Sequence, residues 1–434
     1  MKRYETYKDS GIQWWEEIPT HWDLKKAKHI FSLVTENVSD SSLPKIALEN
    51  IESWTGKYIE TDSDFMGEGV EFKKDDILFG KLRPYLAKVY KAEFAGQAVG
   101  DIYVFRGNEE QNPEYLKYLL LSYPFISVVD GSTYGAKMPR ANWDFISHLV
   151  LPCPPKTEQV TIAAFLDHKV GQIDATIAEK EQMIEDIKAY RSAIISEAVT
   201  KGLDKNVEMK DSGIEWMGMI PKHWGLVKLK NKAKVNGRIG FRGYTTADLV
   251  PKGQGAYTIG GKHITNCVID LSNPDFISWD KYYESPEIMV KKGDILMAQR
   301  GSLGKAALVR EDIGHATINP SLVLLNSIAM NEVFLYYYLV SSSCLAYIDL
   351  LNTATAVPMI SQNQIENIFV PIPSGKEQKQ IADYLDRKTK EIDETTIIVS
   401  TQISELKSYK SSLITEAVTG KIDLREWKPK EENV

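Results

Sequence analysis

The chain repeats itself, and the repetition limits its architecture more than any other feature. Lys8-Asp-Ser-Gly-Ile-Gln-Trp14-Trp-Glu-Glu-Ile-Pro19-Thr-His21-Trp22 returns as Lys210-Asp-Ser-Gly-Ile-Glu-Trp216-Met-Gly-Met-Ile-Pro221-Lys-His223-Trp224, with ten of fifteen positions identical at an offset of 202. A second block, Pro152-Cys-Pro154-Pro-Lys-Thr-Glu158-Gln159 through Ile162, Ala163, Leu166 and Asp167, returns as Pro371-Ile-Pro373-Ser-Gly-Lys-Glu377-Gln378 through Ile381, Ala382, Leu385 and Asp386, at an offset of 219. The difference, 219 − 202 = 17, is the number of extra residues carried by the second copy between its blocks. Each half therefore has shared ends and a private middle, roughly 23–150 and 225–369, and the middles hardly match. One architectural task is done twice; one variable task is done differently each time.

The second shared block predicts helix. Ser374-Gly-Lys-Glu377 fits a capping box behind the prolines, whereas the first copy has Pro155 in place of the serine. From residue 172 a seven-residue spacing takes over. Ile173, Lys180, Ile187 and Ile194 form one stripe, and Ile177, Ile184, Arg191 and Ala198 the other. In the second copy these are Ile392, Val399, Leu406 and Leu413, then Thr396, Ile403, Lys410 and Ala417. Two such stripes predict a coiled-coil seam between the copies, which share one cationic interruption at the same register, Arg191 and Lys410. A helix over 172–200 is about 43 Å long, on the order of 12–13 base pairs of DNA. If the two run antiparallel, the length acts as a ruler between the private regions.

The private middles predict mixed α/β structure. Strands are expected at Asp76–Phe79, Ile102–Phe105, Asp294–Met297 and Ser321–Leu325, and helices at Pro113–Leu121 and Asn331–Leu345. The domain division expected is 1–150, 151–205, 206–369 and 370–434. The fold class is α/β (α+β): two globular mixed domains joined by two long antiparallel coiled-coil helices, with internal pseudo-two-fold duplication.

Motifs for chemistry are sparse. There is no G-x-x-x-x-G-K-[ST] loop, no H-E-x-x-H and no spaced Cys/His set. Asn273-Pro-Asp-Phe276 lacks the second proline of the N-P-P-[FY] motif of amino-methyltransferases, and no Glu-x-Lys follows Pro274-Asp275 within the next thirty residues, as a nuclease site would need. Both are read as turn chemistry. Cys153, Cys267 and Cys344 lie far apart and are expected to be buried, reduced side chains, as in the cytoplasm. No apolar stretch is long enough for a membrane span. His21 and His223 repeat between Pro and Trp without a repeated carboxylate beside them in the sequence. We therefore assign Trp14, His21, Trp22, Gln159, Trp216, His223, Trp224 and Gln378 to packing or partner contact rather than to catalysis.

Nucleic-acid signals are richer, although the net charge is −7. Gly225–Ala247 holds six cations, including Lys232, Lys234, Arg238 and Arg242, and no acid, a composition suited to phosphate contact. After the Asp76 strand, Lys81-Leu-Arg83-Pro-Tyr85-Leu-Ala-Lys88 is cationic. At the same place after the Asp294 strand stands Gln299-Arg300-Gly-Ser302-Leu-Gly-Lys305. Arg and Gln suit bidentate contacts with guanine and adenine. A second candidate precedes each helical block, Tyr134 to Asn142 against Thr355 to Asn363, where Lys137 and Arg140 are expected to meet phosphate.

The twin Gly-Ile-x-Trp…Ile-Pro-x-His-Trp and Pro-x-Pro…Glu-Gln-x-x-Ile-Ala-x-x-Leu-Asp blocks, with paired helices alternating with variable domains, resemble the specificity subunits of type I restriction–modification systems over essentially the whole chain. The resemblance implies two target-recognition domains, each reading half of a bipartite double-stranded DNA target, and helices that set the unspecified spacer. It implies that two methyltransferase subunits dock on the shared regions, with motor–nuclease restriction subunits able to join them. S-adenosylmethionine would bind the methyltransferase partner, leaving no cofactor and no catalytic site here. The competing readings are a duplicated DNA methyltransferase or nuclease with degenerate motifs, and a helical protein scaffold.

Overall fold

The computed structural model describes residues 2–37, 42–61, 69–133, 137–238, 243–351 and 358–429. The chain divides into two compact units, one of residues 1–181 with 400–434, the other of residues 182–399.

In the first unit, the N-terminal block forms a two-stranded ladder, Tyr7–Asp9 against Glu17–Pro19. Its Trp15, Ile18 and Trp22 are buried. Asp23–Lys26 then pairs antiparallel with Val150–Cys153. The private middle leaves and returns through that pair. Inside it, a four-stranded antiparallel sheet runs in the order Phe31–Val34, Ile102–Gly107, Ile77–Gly80, Val89–Lys91. The run Ile77-Leu-Phe-Gly80 is buried at every position, which explains why it reads as continuous rather than alternating hydrophobicity. A second sheet sets Lys45–Ile46 parallel to Gly96–Ala98, with Val70–Phe72 antiparallel on the other side. Pro113–Leu121 is helical, as the sequence predicts.

The second unit repeats this plan. Gly225–Lys228 pairs with Phe369–Ile372, and a four-stranded sheet runs Lys234–Gly237, Leu322–Asn326, Ile295–Ala298, Ala306–Leu308. A three-stranded sheet again contains one parallel pair, Gly255–Ile259 beside Ala316–Ile318. The two middles thus share a four-stranded topology and one parallel pair that their sequences do not advertise, while the three-stranded sheets differ in their central strand, Gly96–Ala98 in the first and Gly255–Ile259 in the second. The helix expected over Asn331–Leu345 is two helices, Glu332–Leu339 and Ser342–Leu351. Ser341 divides them; it is fully buried, and its hydroxyl donates back to the Tyr338 carbonyl while accepting from the Cys344 N–H. No single described helix is long and apolar enough to cross a membrane; that bent pair matches by length and composition alone, and Phe334 to Leu339 are core. Cys153 and Cys344 are buried as expected, but Cys267 is only half-buried. It occupies a left-handed turn position.

Each second shared block is one continuous helix, Lys156–Lys201 and Gly375–Val418, longer than the heptad stretch alone. Ile173, Ile177, Ile392, Val399, Ile403 and Leu413 are buried. Within the first unit the helices run antiparallel, tied by Lys410–Asp174 at 2.8 Å, Lys180–Gln402 at 2.7 Å and Lys407–Glu181 at 3.1 Å. Within the second, Arg191 grips Asp393 at 2.9 Å. The two cationic interruptions are therefore equivalent ion pairs, because 191 + 219 = 410 and 174 + 219 = 393. Each helix ends at a left-handed glycine, Gly202 and Gly420. A Cβ there would press on Trp224 in the one case and on Pro19 and Trp22 in the other, so the glycines serve both helix termination and close packing. After Gly420 the chain returns to its start: the Asp423 amide donates to the Lys2 carbonyl, and the Tyr7 hydroxyl to the Gly420 carbonyl.

Candidate nucleic-acid interface

The shared blocks are sewn together by one carboxylate in each half. Glu158, in the first turn of its helix, accepts from Trp22 Nε1 at 2.8 Å and the Tyr4 hydroxyl at 3.1 Å, and pairs with His21 Nε2 at 2.6 Å. Glu377 pairs with His223 Nε2 at 2.8 Å, accepts from Trp224 Nε1 at 3.3 Å and closes the capping box on the Ser374 amide at 3.0 Å. Burial alone would raise the Glu377 pKa; the donors His223, Ser374 and Trp224 outweigh it and hold the carboxyl at about 2. Beside them, Gln159 and Gln378 accept from the Asn112 and Asn331 amides, at 2.8 Å and 2.9 Å. Those asparagines cap the helices Pro113–Leu121 and Glu332–Leu339.

A repeated carboxylate does stand beside each histidine, then, but it lies 137 and 154 residues away in the chain. This revises the assignment of Trp22, Trp224, Gln159 and Gln378 to partner contact. All four are buried, and their polar atoms are spent on their own chain. Trp216 is half-buried and stacks on Tyr347 with ring centroids 4.0 Å apart. Trp14, His21 and His223 keep an accessible surface.

The two basic candidates of the first private middle come together. Leu82 and Arg140 form an isolated antiparallel bridge. The Arg83 amide donates to the Pro139 carbonyl at 2.8 Å, and the Ala141 amide to the Lys81 carbonyl at 2.8 Å. Arg83, Tyr85, Lys137 and Arg140 are exposed around this bridge. Lys81 lies over the Tyr103 ring, 5.2 Å from its centroid, and 3.9 Å from Asp101. Asp101 takes the Arg140 guanidinium in two bonds of 3.0 Å each, and those bonds hold its carboxyl below the usual range. Sequence reasoning missed Asp101, which is remote from both cations in the chain.

The second middle builds the same frame with other side chains. Arg300 bridges Met359, the Gly301 amide donates to the Pro358 carbonyl at 2.9 Å, and the Ile360 amide to the Gln299 carbonyl at 2.9 Å. Arg300, Ser302, Lys305 and Met359 are exposed. Among the described residues neither Arg83 nor Arg300 makes an ion pair. The backbone position after the bridge is left-handed in both halves, at Arg83 with φ 51° and at Gly301 with φ 77°. Glycine occupies that region freely, whereas a side chain there costs about 1 kcal/mol.

Other expected DNA contacts lie elsewhere. Lys88 turns inward and donates to the Leu48 and Ile51 carbonyls at 2.6 and 2.8 Å, and burial pushes its pKa down. Arg238 is 6% exposed, bonded to the Ile318 carbonyl and Thr317 Oγ1. Gln299 is 8% exposed and donates to the Pro320 and Leu322 carbonyls. These three support loops rather than present themselves. Lys234 pairs with Asn326 while Ala298 pairs with Leu322, so Lys234, with Lys232 preceding it, stands at the end of the sheet away from Arg300. Arg242 lies outside the described residues.

The sequence matches the type I restriction modification DNA specificity domain over residues 30–189 and 266–405. It is 24% identical to the EcoBI type I restriction enzyme specificity subunit of Escherichia coli, over 82% of this chain and 75% of that protein. It is 23% identical to the putative MjaX specificity subunit of Methanocaldococcus jannaschii, over 96% and 98%. In fold it is similar to a chain of a type I R-M system solved for its complex assembly and conformational transition, with a TM-score of 0.72, 17% identity, and 93% and 99% of the two chains covered. It is also similar to the HsdS subunit of Thermoanaerobacter tengcongensis, with a TM-score of 0.51, 18% identity, and 93% and 98% covered. With two matched domains, one in each half of a duplicated fold, the chain belongs to the type I restriction–modification DNA specificity family.

Proposed function

We infer that this chain is the DNA-sequence-recognition subunit of a type I restriction–modification complex, each private middle reading one half of a bipartite target. The observation that carries this reading is the repeated bridge: one backbone frame, built twice, offers Arg83, Lys137 and Arg140 in the first half and Arg300, Ser302, Lys305 and Met359 in the second. A scaffold or a duplicated enzyme has no need to keep the frame while replacing Arg83 by Gly301 and Arg140 by Met359 on it; a reader of two different half-sites does.

In this reading the chain performs no chemistry. Two methyltransferase subunits dock on the shared regions and bring S-adenosylmethionine, motor–nuclease subunits join them, and the complex acts in the cytoplasm. The paired helices set the spacer. Lys and Arg minus Asp and Glu gives 15 − 19 = −4 for residues 23–150 and 14 − 12 = +2 for 225–369. The isolated chain is therefore expected to bind DNA weakly and in a salt-sensitive way, with the partners supplying most of the electrostatic grip.

Co-expression with the methyltransferase encoded beside it, followed by genome-wide mapping of methylated adenines, tests the reading. One bipartite motif is expected, with only one half changing when one private middle is exchanged. Methylation indifferent to this chain, or following a continuous motif, overturns it.

A further inference from the structure

We propose that Arg140 is a base reader specific for guanine in the half-site of the first unit, held in its reading plane by Asp101; this rests on the DNA-recognition reading above.

The geometry divides the guanidinium in two. Nε and one N–H of Nη2 are committed to the two Asp101 oxygens, each at 3.0 Å. That leaves the other edge, the second N–H of Nη2 beside an N–H of Nη1, as two parallel donors. The side chain is about half exposed, with 51% of its surface accessible, so this edge is open to a ligand. Its backbone is fixed as well, by the bridge to Leu82 and the Arg83–Pro139 bond. A guanidinium pinned on one edge loses little freedom when the other edge binds.

Asp101 also decides what that edge can bind. A phosphate approaching Arg140 would come within a few ångströms of a carboxylate held ionised by Arg140 and Lys81, and like charges at such range repel. The pair suits a neutral partner that offers two adjacent acceptors. In the major groove only guanine does so, through O6 and N7; adenine and cytosine place a donor there, and thymine has one acceptor. The role expected for Arg140 from composition alone, phosphate contact, therefore passes to Arg83 and Lys137, which have no carboxylate beside them among the described residues. At the equivalent positions among the described residues the second unit has no such pair: Met359 occupies the bridge position and Ser321 the place of Asp101, since Leu322 faces Ala298 as Ile102 faces Gly80. The two half-sites are thus recognised by different chemistry at equivalent backbone positions.

The test uses the full chain with its methyltransferase partner, comparing methylated motifs of wild type, Arg140→Ala, Arg140→Lys and Asp101→Asn. The half-site assigned to the first private middle should contain an invariant guanine. Arg140→Ala should lower preference for it by about five- to hundredfold, leaving the other half-site intact. Arg140→Lys keeps the charge but not the fork, so it should relax the same position. Asp101→Asn should relax it partly while strengthening binding to unrelated DNA at low salt. An Arg140→Lys motif like that of wild type, or a half-site without guanine, overturns the proposal. So does a uniform loss of methylation in Arg140→Ala with unchanged base preferences. Melting temperatures of the variants separate lost reading from lost folding, and Arg140→Lys retains the bridge if Arg140→Ala does not fold. Should the wild-type chain direct no bipartite methylation, the recognition reading fails first, and this proposal with it.

Discussion

Glu158 and Glu377 each take the histidine and tryptophan of their own repeat, with Tyr4 added in one half and the Ser374 amide in the other, whereas Arg140 and Met359 stand at equivalent places on the backbone bridge and have no chemistry in common. The first pair belongs to the shared scaffold, the second to the private middles. The scaffold keeps the bond from each buried indole to its carboxylate, because a buried donor left unpaired costs about 1–3 kcal/mol. The bridge is held by main-chain hydrogen bonds that any side chain permits. Variation collects where the backbone alone carries the structure.

The largest effect should come from the scaffold. Trp22→Ala removes a fully buried indole that also donates to Glu158, and should cost about 3–5 kcal/mol in chemical denaturation. Trp224→Ala should behave alike. A much smaller loss in one half would show that the two staples are not equivalent.

Next come the helix ion pairs, whose surroundings differ. Lys410 and Asp174 have side chains 9% and 13% exposed, whereas Arg191 and Asp393 are 26% and 55% exposed. Asp174→Ala strands a buried ammonium and should cost about 3 kcal/mol; Asp393→Ala, at a wetter pair, should cost under about 1 kcal/mol. Equal losses would show that exposure does not distinguish the pairs.

A smaller and opposite effect is expected at Arg83. Replacing it by glycine, as at Gly301, should raise stability by about 0.5–1 kcal/mol, while binding to the cognate half-site weakens and its salt dependence becomes shallower. Stabilisation without loss of binding would remove Arg83 from the interface. The smallest effect is acid sensitivity at Glu377. Its carboxyl is held at about 2 against an ordinary 4.5, so the stability it contributes is complete above about 4.5 and is lost as pH falls toward 2. The melting temperature of Glu377→Gln should therefore fall less steeply than that of wild type across this window.

Much of this was legible in the chain. The heptad stripes mark the buried faces of both long helices because a period of seven survives only where one face is kept dry. Ser374 and Glu377 form the expected capping box. The four predicted strands appear with their ends shifted by a residue or two. The contents of the reading face were harder to see. Lys88 and Lys305 follow equivalent strands, yet Lys88 feeds two carbonyls while Lys305 faces solvent. Charge alone does not say whether a lysine finds carbonyls within reach. Asp101 gave no signal, since its partners lie 20 and 39 residues away. A usable clue did exist for Glu158: the His-Trp pair and the Glu-Gln pair repeat together, which is what mutual contact would produce.

The short ladder Asp23–Lys26 against Val150–Cys153, with its counterpart Gly225–Lys228 against Phe369–Ile372, has one more consequence. Both ends of each variable insert are clipped side by side, so the insert is topologically a loop on a closed clasp. Lengthening such a loop adds only a logarithmic closure penalty, roughly 0.6 kcal/mol per doubling, and the 219 − 202 = 17 extra residues of the second copy cost the clasp almost nothing. An insert of foreign sequence and different length, cut at these four strands, should therefore graft without refitting the rest of the molecule, and a new target could be acquired in a single recombination between clasps.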